Sequence, residues 1–406
     1  MHHRHRFPAV AVLVIAALAL VAVAAAALEI GHVSRTYVDP ERDNRSIPTE
    51  IHYPALQAGE GVPAAPPPPG GFPPLACGHG YLMPWDVYGW LWEGLVPAGY
   101  VVALPRTGGE LFPDHEDFGL DLAFVLRALR EEAADPASPL YGAVAATGGV
   151  MGHSMGGGAA VLAAASDPDI AALAGFAAAE TNPSAAAAAA AVTAPSLQFS
   201  GSHDCVAPAE QHQLPIYDNL ASDCRAWASL LGGSHCQFAA YNFTCGLGEI
   251  GCPSPTLTRA EQQAIALLLL RPWLDHVLQG DAAAWQTFTA RLDSLPEVDH
   301  LLDCGPTAAP AVPAGSPLAL VAAENPCRDG TRLRYSLAGA ARVEAVLFDV
   351  AGRRLRAFPS REAAAGTHTL AWDGRDGIGR QLPAGVYLLR LSAGQATLTH
   401  RIVLLR

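Results

Sequence analysis

The stretch GVMGHSMGGGAA, Gly149 to Ala160, holds one serine among small residues. Its centre, Gly152-His153-Ser154-Met155-Gly156, fits G-x-S-x-G, in which small neighbours let a chain turn sharply from strand to helix and leave the serine Oγ exposed. In a chain with 39 glycines and long alanine tracts, the same letters also fit a plain run where a helix packs closely. A serine hydroxyl attacks poorly unless a base takes its proton. The base works best when a carboxylate fixes its tautomer and stabilises its cation. Both partners are therefore sought at later strand ends. SLQFSG runs into SHDCVAP and sets Asp204 just past a strand, and AWASLLG runs into GSHCQF and sets His235 likewise. Ser154 as nucleophile, His235 as general base and Asp204 as orienting acid follow from these placements. Backbone donors must also meet the negative oxygen of the intermediate. The N–H of Met155, next after the serine, is one candidate. Tyr81 in PLACGHGYLMPW is the other, although Gly78 and Gly80 equally fit an ordinary tight turn.

The elements that must carry these residues read as short apolar runs alternating with longer amphipathic ones from about Leu28 to Cys304, the pattern of a mostly parallel sheet covered by helices. Strands are expected at Tyr100 to Leu104, Gly149 to Gly152, Leu173 to Ala177, Ser196 to Ser200 and Ala226 to Leu231. Helices are expected from Gly119, over Met155 to Ala165, and from Thr258, where Thr258 and Glu261 fit a capping box. Pro63 to Pro74 cannot be helical and reads as an extended surface loop. Trp85, Trp90 and Trp92, with Tyr81, offer an apolar wall, but their spacing reads first as helix packing. Beyond Cys304, a Pro- and Ala-rich linker at 305–317 leads into alternating runs at Arg332, Val343, His368, Gly385 and Ala396, broken by Asp- and Gly-containing turns. An antiparallel sandwich over 318–406 is the economical reading.

Composition narrows the class. Net charge is −13 with 25 Lys plus Arg and no long basic run, which argues against nucleic acid as a partner. MHHRHRF followed by an apolar, alanine-rich stretch and small residues reads as an export signal over 1–28; a single membrane anchor is the competing reading. Export places the eight cysteines where disulfides persist, and the even count fits full pairing without choosing a connectivity. LPRTG at Leu104 matches a sortase pentapeptide, yet it follows a core strand and has no apolar tail, so it reads as a loop.

GVMGHSMGGGAA, GSHDCVAP, LPIYDNL, GGSHCQF and TYVDPERDNRSIPTEIHYP together resemble the secreted dienelactone-hydrolase-type and cutinase or polyester-hydrolase branch of the α/β-hydrolases, over roughly residues 30 to 290. The resemblance implies a doubly wound α/β-hydrolase sheet at 29–304, and a lidless serine esterase with Ser154, His235 and Asp204 as triad and Tyr81 and Met155 as oxyanion donors. It implies no metal or organic cofactor, and a small-molecule or polymeric ester as substrate. It also implies a disulfide beside acid and base, for which Cys205 and Cys236 are candidates, with other pairings open. Members that cleave aromatic polyesters carry a tryptophan wall where this chain has Ala179 and Glu180, which speaks against strong aromatic-polymer activity. NPCRDGTRLRYSL, LFDVAGRRL and WDGRDGIGRQLPAGVYLLRL are similar to immunoglobulin-like modules of flagellar hook-capping and secretion-sorting type, which implies contact with export machinery or the cell surface. A peptidase or acyltransferase with the same triad, and an adhesion protein on an idle hydrolase scaffold, are the competing functions.

Overall fold

A computed structural model describes residues 28–304 and, between 318 and 405, all but 324–326, 328–329, 338, 350–351, 365 and 395. The expected export segment, apart from Leu28, and the 305–317 linker lie outside the described residues. Apolar runs buried along their whole length, as in the central strands, need cover on both faces, while the outer strands are only partly buried. The strands are β1 (Glu29–Asp39), β2 (Arg45–Ala55), β3 (Gly59–Glu60), β4 (Pro74–Gly78), β5 (Val101–Pro105), β6 (Gly148–His153), β7 (Ile170–Phe176), β8 (Ser196–Gly201), β9 (Cys224–Leu230) and β10 (Val298–Cys304). They join in one sheet of order β10-β9-β8-β7-β6-β4-β5-β2-β1-β3. Strands β5, β4, β6, β7, β8 and β9 are neighbours in parallel, while β1, β2 and β10 pair antiparallel.

The helices are α1 (Gly89–Leu95), α2 (His115–Glu132), α3 (Met155–Ser166), α4 (Ala185–Ala188), α5 (Gln213–Asn219), α6 (Phe243–Gly248), α7 (Arg259–Gln279) and α8 (Ala282–Ser294). One core holds Leu122 and Leu126 of α2, Ala160 of α3 and Ile216 of α5; the other holds Leu91 of α1, Leu269 and Trp273 of α7 and Phe288 of α8. The sheet is thus sandwiched between two helical layers, the doubly wound α/β arrangement. Helix α2 starts four residues before the Gly119 read from periodicity, because the Asp114 carboxylate accepts the Asp117 N–H at 3.0 Å and caps the earlier turn. Helix α7 opens on the expected capping box of Thr258 and Glu261. The Pro63 to Pro74 segment departs from a simple surface loop. Ala65 and Phe72 are buried, Phe72 exchanges backbone hydrogen bonds with Ala143 and Ala145, and Pro74 begins β4.

The hairpin between β1 and β2 is clamped to α2 by charge. Arg42 and Arg45 reach the fully buried Asp121 carboxylate at 2.6 and 2.8 Å, so a carboxylate in the interior is matched by two guanidinium groups.

The C-terminal part forms two antiparallel sheets. One joins β11 (Leu318–Ala323), β12 (Thr331–Leu337) and β16 (Gly366–Trp372); the other joins β13 (Ala341–Asp349), β14 (Arg354–Ala357), β15 (Arg361–Ala363), β17 (Gly385–Ala393) and β18 (Ala396–Leu404). Inward residues Leu333, Tyr335, Leu347, Leu389 and Ile402 share one core, as alternation along the strands requires.

Candidate active site

Ser154 stands between β6 and α3 with φ +53° and ψ −121°, a conformation that non-glycine residues rarely hold. Two features keep it there. The Ser154 N–H donates to the Phe176 carbonyl of β7 at 3.0 Å, and its own carbonyl accepts from Gly157, Gly158 and Ala179. The neighbours must also be small. A Cβ on Gly152 would lie 2.2 Å from the Gly156 carbonyl oxygen, and one on Gly156 would lie 2.2 Å from the Gly78 carbonyl carbon. The G-x-S-x-G letters therefore mark a close approach of three backbone segments, and the run of small residues is a consequence of that approach.

The other two members arrive on neighbouring strand ends. Asp204 follows β8 and His235 follows β9, both buried. His235 Nδ1 donates to Asp204 Oδ2 at 2.7 Å, and Asp204 Oδ1 accepts the N–H groups of Val206 and Ala207 at 2.9 and 2.8 Å. The carboxylate is thus fully engaged and held as an acceptor toward the imidazole, leaving Nε2 as the ring atom available to take a proton. Of the two hydrogen bonds a Ser–His–Asp relay needs, the structure makes this one, while the Ser154 hydroxyl is not bonded to His235 in it. Such bonds commonly tighten only once substrate is present. The ring of His153, next to Ser154, lies 4.8 Å from that of His235, so elbow and base loop do meet.

The candidate oxyanion donors flank the same turn. Met155 begins α3, and the loop carrying His79, Gly80 and Tyr81 follows β4 directly against Gly156. The Tyr81 side chain points outward, 43% exposed, with its hydroxyl on the Leu111 carbonyl at 2.7 Å, so only its backbone is in question for oxyanion binding. His79 is buried with its two ring nitrogens each 2.9 Å from a carbonyl, of Gly80 and of Thr107, contacts that hold its ring against the inside of this loop.

The candidate Cys205–Cys236 bridge is not formed. Cys205 pairs with Cys252, Cys236 with Cys245 and Cys224 with Cys304, and Cys77 remains a buried thiol, which burial pushes up to about 12. The acid and base loops are each linked covalently to a common third segment around α6 and to one another only by hydrogen bonds. The even cysteine count therefore did not mean complete pairing.

Several contributors escaped the sequence reading. Gln262, fully buried on the first turns of α7, clasps Ser234 from both sides: its Oε1 accepts the Ser234 N–H at 2.9 Å and its Nε2 donates to the Ser234 carbonyl at 2.8 Å. The capping box fixed where that helix starts, and hence that Gln262 sits one turn inside it, but not which loop it would meet. Glu249 Oε1 accepts the Cys236 N–H at 2.8 Å, and Gln213 Nε2 donates to the carbonyls of Ala178 and Ala207. Trp90 donates to the Phe238 carbonyl at 2.8 Å and meets Phe176 edge-on, while Trp85 and Trp92 pack around His52, so these rings serve packing. Glu180, where a tryptophan wall was sought, caps α4 by accepting the Ala186 N–H at 3.0 Å. Arg106 of the LPRTG sequence pairs with Glu50 at 2.9 Å just past β5. Among the described residues, no group of three or more His, Cys, Asp or Glu is arranged to hold a metal, and no helix is long and apolar enough to cross a membrane.

Comparison with known proteins adds two matches. Residues 68–252 match the family described as PET hydrolase-like, and residues 328–397 match the FlgD Ig-like domain. No curated protein matches the chain.

Proposed function

From a chain that joins a PET hydrolase-like domain to an FlgD Ig-like domain, we propose an exported serine esterase whose nucleophile is Ser154. The family match over residues 68–252 supports a hydrolase acting on esters. One observation carries the finer reading: the buried 2.7 Å bond from His235 Nδ1 to Asp204, formed beside a serine in a strained elbow. In the proposed reaction His235 Nε2 takes the Ser154 proton as Oγ attacks the ester carbonyl. The N–H groups of Met155 and Tyr81 hold the oxygen that becomes negative, and two donors there are worth about 3 kcal/mol each. The tetrahedral intermediate collapses, the alcohol leaves with the proton from His235, and water attacks the acyl-enzyme by the same steps in reverse. Asp204 keeps the imidazole in the right tautomer and stabilises its cation throughout.

The surroundings favour a bulky, uncharged ester. Between Ser154 and β9 the described helices are α3, α4 and α5, of which the last two have four and seven residues, too short for a capping domain. Beside the acid and base loops, Val206, Tyr241, Phe243, Leu247 and Ile250 are exposed on or against the doubly bridged segment. The one acidic residue within 241–252, Glu249, is turned inward to Cys236. Three disulfides support an oxidising destination, and the C-terminal sandwich is read as an attachment or sorting module over 318–406, following a catalytic unit at 29–304. Hydrolysis of short- and long-chain nitrophenyl esters by wild type and Ser154→Ala tests the proposal. Turnover by wild type with none above background in the variant is the expected outcome; an active variant would exclude Ser154 as nucleophile.

A further inference from the structure

His153, the residue before the elbow serine, is completely buried, yet both of its ring nitrogens are bonded. Nε2 faces the backbone carbonyl of His235 at 3.1 Å, and Nδ1 faces the Tyr88 hydroxyl at 2.9 Å. That hydroxyl in turn accepts the Gly80 N–H at 2.8 Å. The chemistry of the partners fixes every proton. A carbonyl only accepts, so Nε2 carries the hydrogen; a neutral imidazole then has Nδ1 as acceptor, so Tyr88 gives its one proton to it rather than to the weaker acceptor Met83 Sδ at 3.6 Å, while receiving from Gly80. Burial, with the neighbouring His235 second, holds His153 well below the usual imidazole range, so the ring stays neutral. Gly80 is pressed onto the same groups: a Cβ there would lie 3.1 Å from His153 Nδ1 and 3.3 Å from the Tyr88 hydroxyl.

We infer that Tyr88 and His153 form a positioning relay, Gly80 N–H to Tyr88 Oη–H to His153, then His153 Nε2–H to the His235 carbonyl, that sets the oxyanion loop and the base loop in register with the nucleophile. The relay rests on the triad reading. Its two ends are one residue from the proposed donor Tyr81 and on the backbone of the proposed base, and its middle is peptide-bonded to Ser154. None of its side chains touches substrate. Their contribution is geometric, and a misplacement of about 1 Å at such a site costs on the order of 100-fold in rate.

The test is a double-mutant cycle in the full chain with Tyr88→Phe and His153→Leu, with His153→Gln as the conservative variant whose amide can donate and accept along the same line. Thermal melts and titration of reactive serine establish that each variant is folded. Each single variant is expected to lower kcat by roughly 10- to 100-fold with KM within about threefold. The double variant should fall no further than the worse single, because each change breaks the same chain. His153→Gln should recover most of the loss. Multiplying losses, a change in KM alone, or His153→Gln no better than His153→Leu would overturn the relay while leaving the triad intact. Inactive wild type, or an active Ser154→Ala, would instead remove the reading beneath it. Nitrogen NMR of the wild type gives a result independent of mutation: His153 should be the neutral Nε2–H tautomer, and an Nδ1–H tautomer would overturn the assignment.

Discussion

The turn at Ser154 is held by backbone laid against backbone, whereas the loops at Asp204 and His235, which also meet backbone to backbone at Gly201 and Gly233, are in addition held by disulfides and side-chain clasps from the segment around α6 and from α7. At the elbow, Gly78, Gly152 and Gly156 approach so closely that a single added Cβ would overlap main-chain atoms. At the loops, Cys205 and Cys236 are bridged into the stretch around α6, Glu249 bonds Cys236, and Gln262 clasps Ser234. The difference follows from where the two regions lie. The elbow grows out of a strand in the middle of the parallel sheet, with packed neighbours on every side. The loops leave the sheet at strands β8 and β9, nearer its edge strand β10, where packing alone offers less and longer connections must be tied down.

If this comparison is right, substitutions divide by mechanism. The largest effect concerns the chemistry both regions serve: Ser154→Ala should lower kcat by about 10⁴- to 10⁶-fold without shifting the melting temperature, and Asp204→Asn by about 10⁴-fold through loss of the correct tautomer. Steady-state kinetics beside calorimetry check both. Next comes the elbow itself. Gly156→Ala should cost about 3 kcal/mol of unfolding free energy, at the upper end for overpacking, because the contact is with main chain that cannot rotate away. Denaturant titration showing less than about 1 kcal/mol would mean the turn yields more readily than its spacing implies.

The bridges sharpen the contrast. Cys205→Ser with Cys252→Ser, and Cys224→Ser with Cys304→Ser, should each cost roughly 2–4 kcal/mol. Only the first pair should also lower kcat, since the second joins β9 to β10 away from the acid and base. Equal kcat in the two variants would show that the bridge at Asp204 stabilises the fold without positioning the site. A last effect, seen only as pH is lowered, lies outside both regions. His52 stacks on Trp92 at 4.3 Å, and burial lowers it to about 4. Its folded state therefore binds fewer protons than the unfolded chain between the ordinary imidazole value and about 4. Stability contributed there is complete above that window and declines as pH falls through it, by about 3 kcal/mol in all. His52→Gln should flatten this part of the stability–pH curve, and an unchanged slope would place the dependence elsewhere.

The same contrast explains what was legible in the sequence. Runs such as YVVAL and SLQFS announce buried strands because their periodicity is local, and the small residues around Ser154 record a packing constraint in adjacent letters. The antiparallel runs of the C-terminal part were equally plain, since alternation and turn residues recur every ten or so positions. What holds the loops was not written locally. Cys205 finds Cys252 at a separation of 47 residues, and Gln262 meets Ser234 only because α7 packs back beneath the base loop. The candidate pairing of Cys205 with Cys236 would have joined two residues that lie near one another in role, when each has its partner further along the chain. His153 was visible as the x of G-x-S-x-G, but nothing in the letters said that its ring would face both Tyr88 and His235.

The claim on which the rest depends is that Ser154 is made reactive by His235 and Asp204. An alkyl fluorophosphonate that phosphonylates activated serines, followed by peptide mass mapping of wild type and His235→Gln, measures that reactivity directly. A single adduct on Ser154, forming at least about 100-fold more slowly in His235→Gln, is the expected result. An adduct on any other residue, or equal rates in the two proteins, would contradict it.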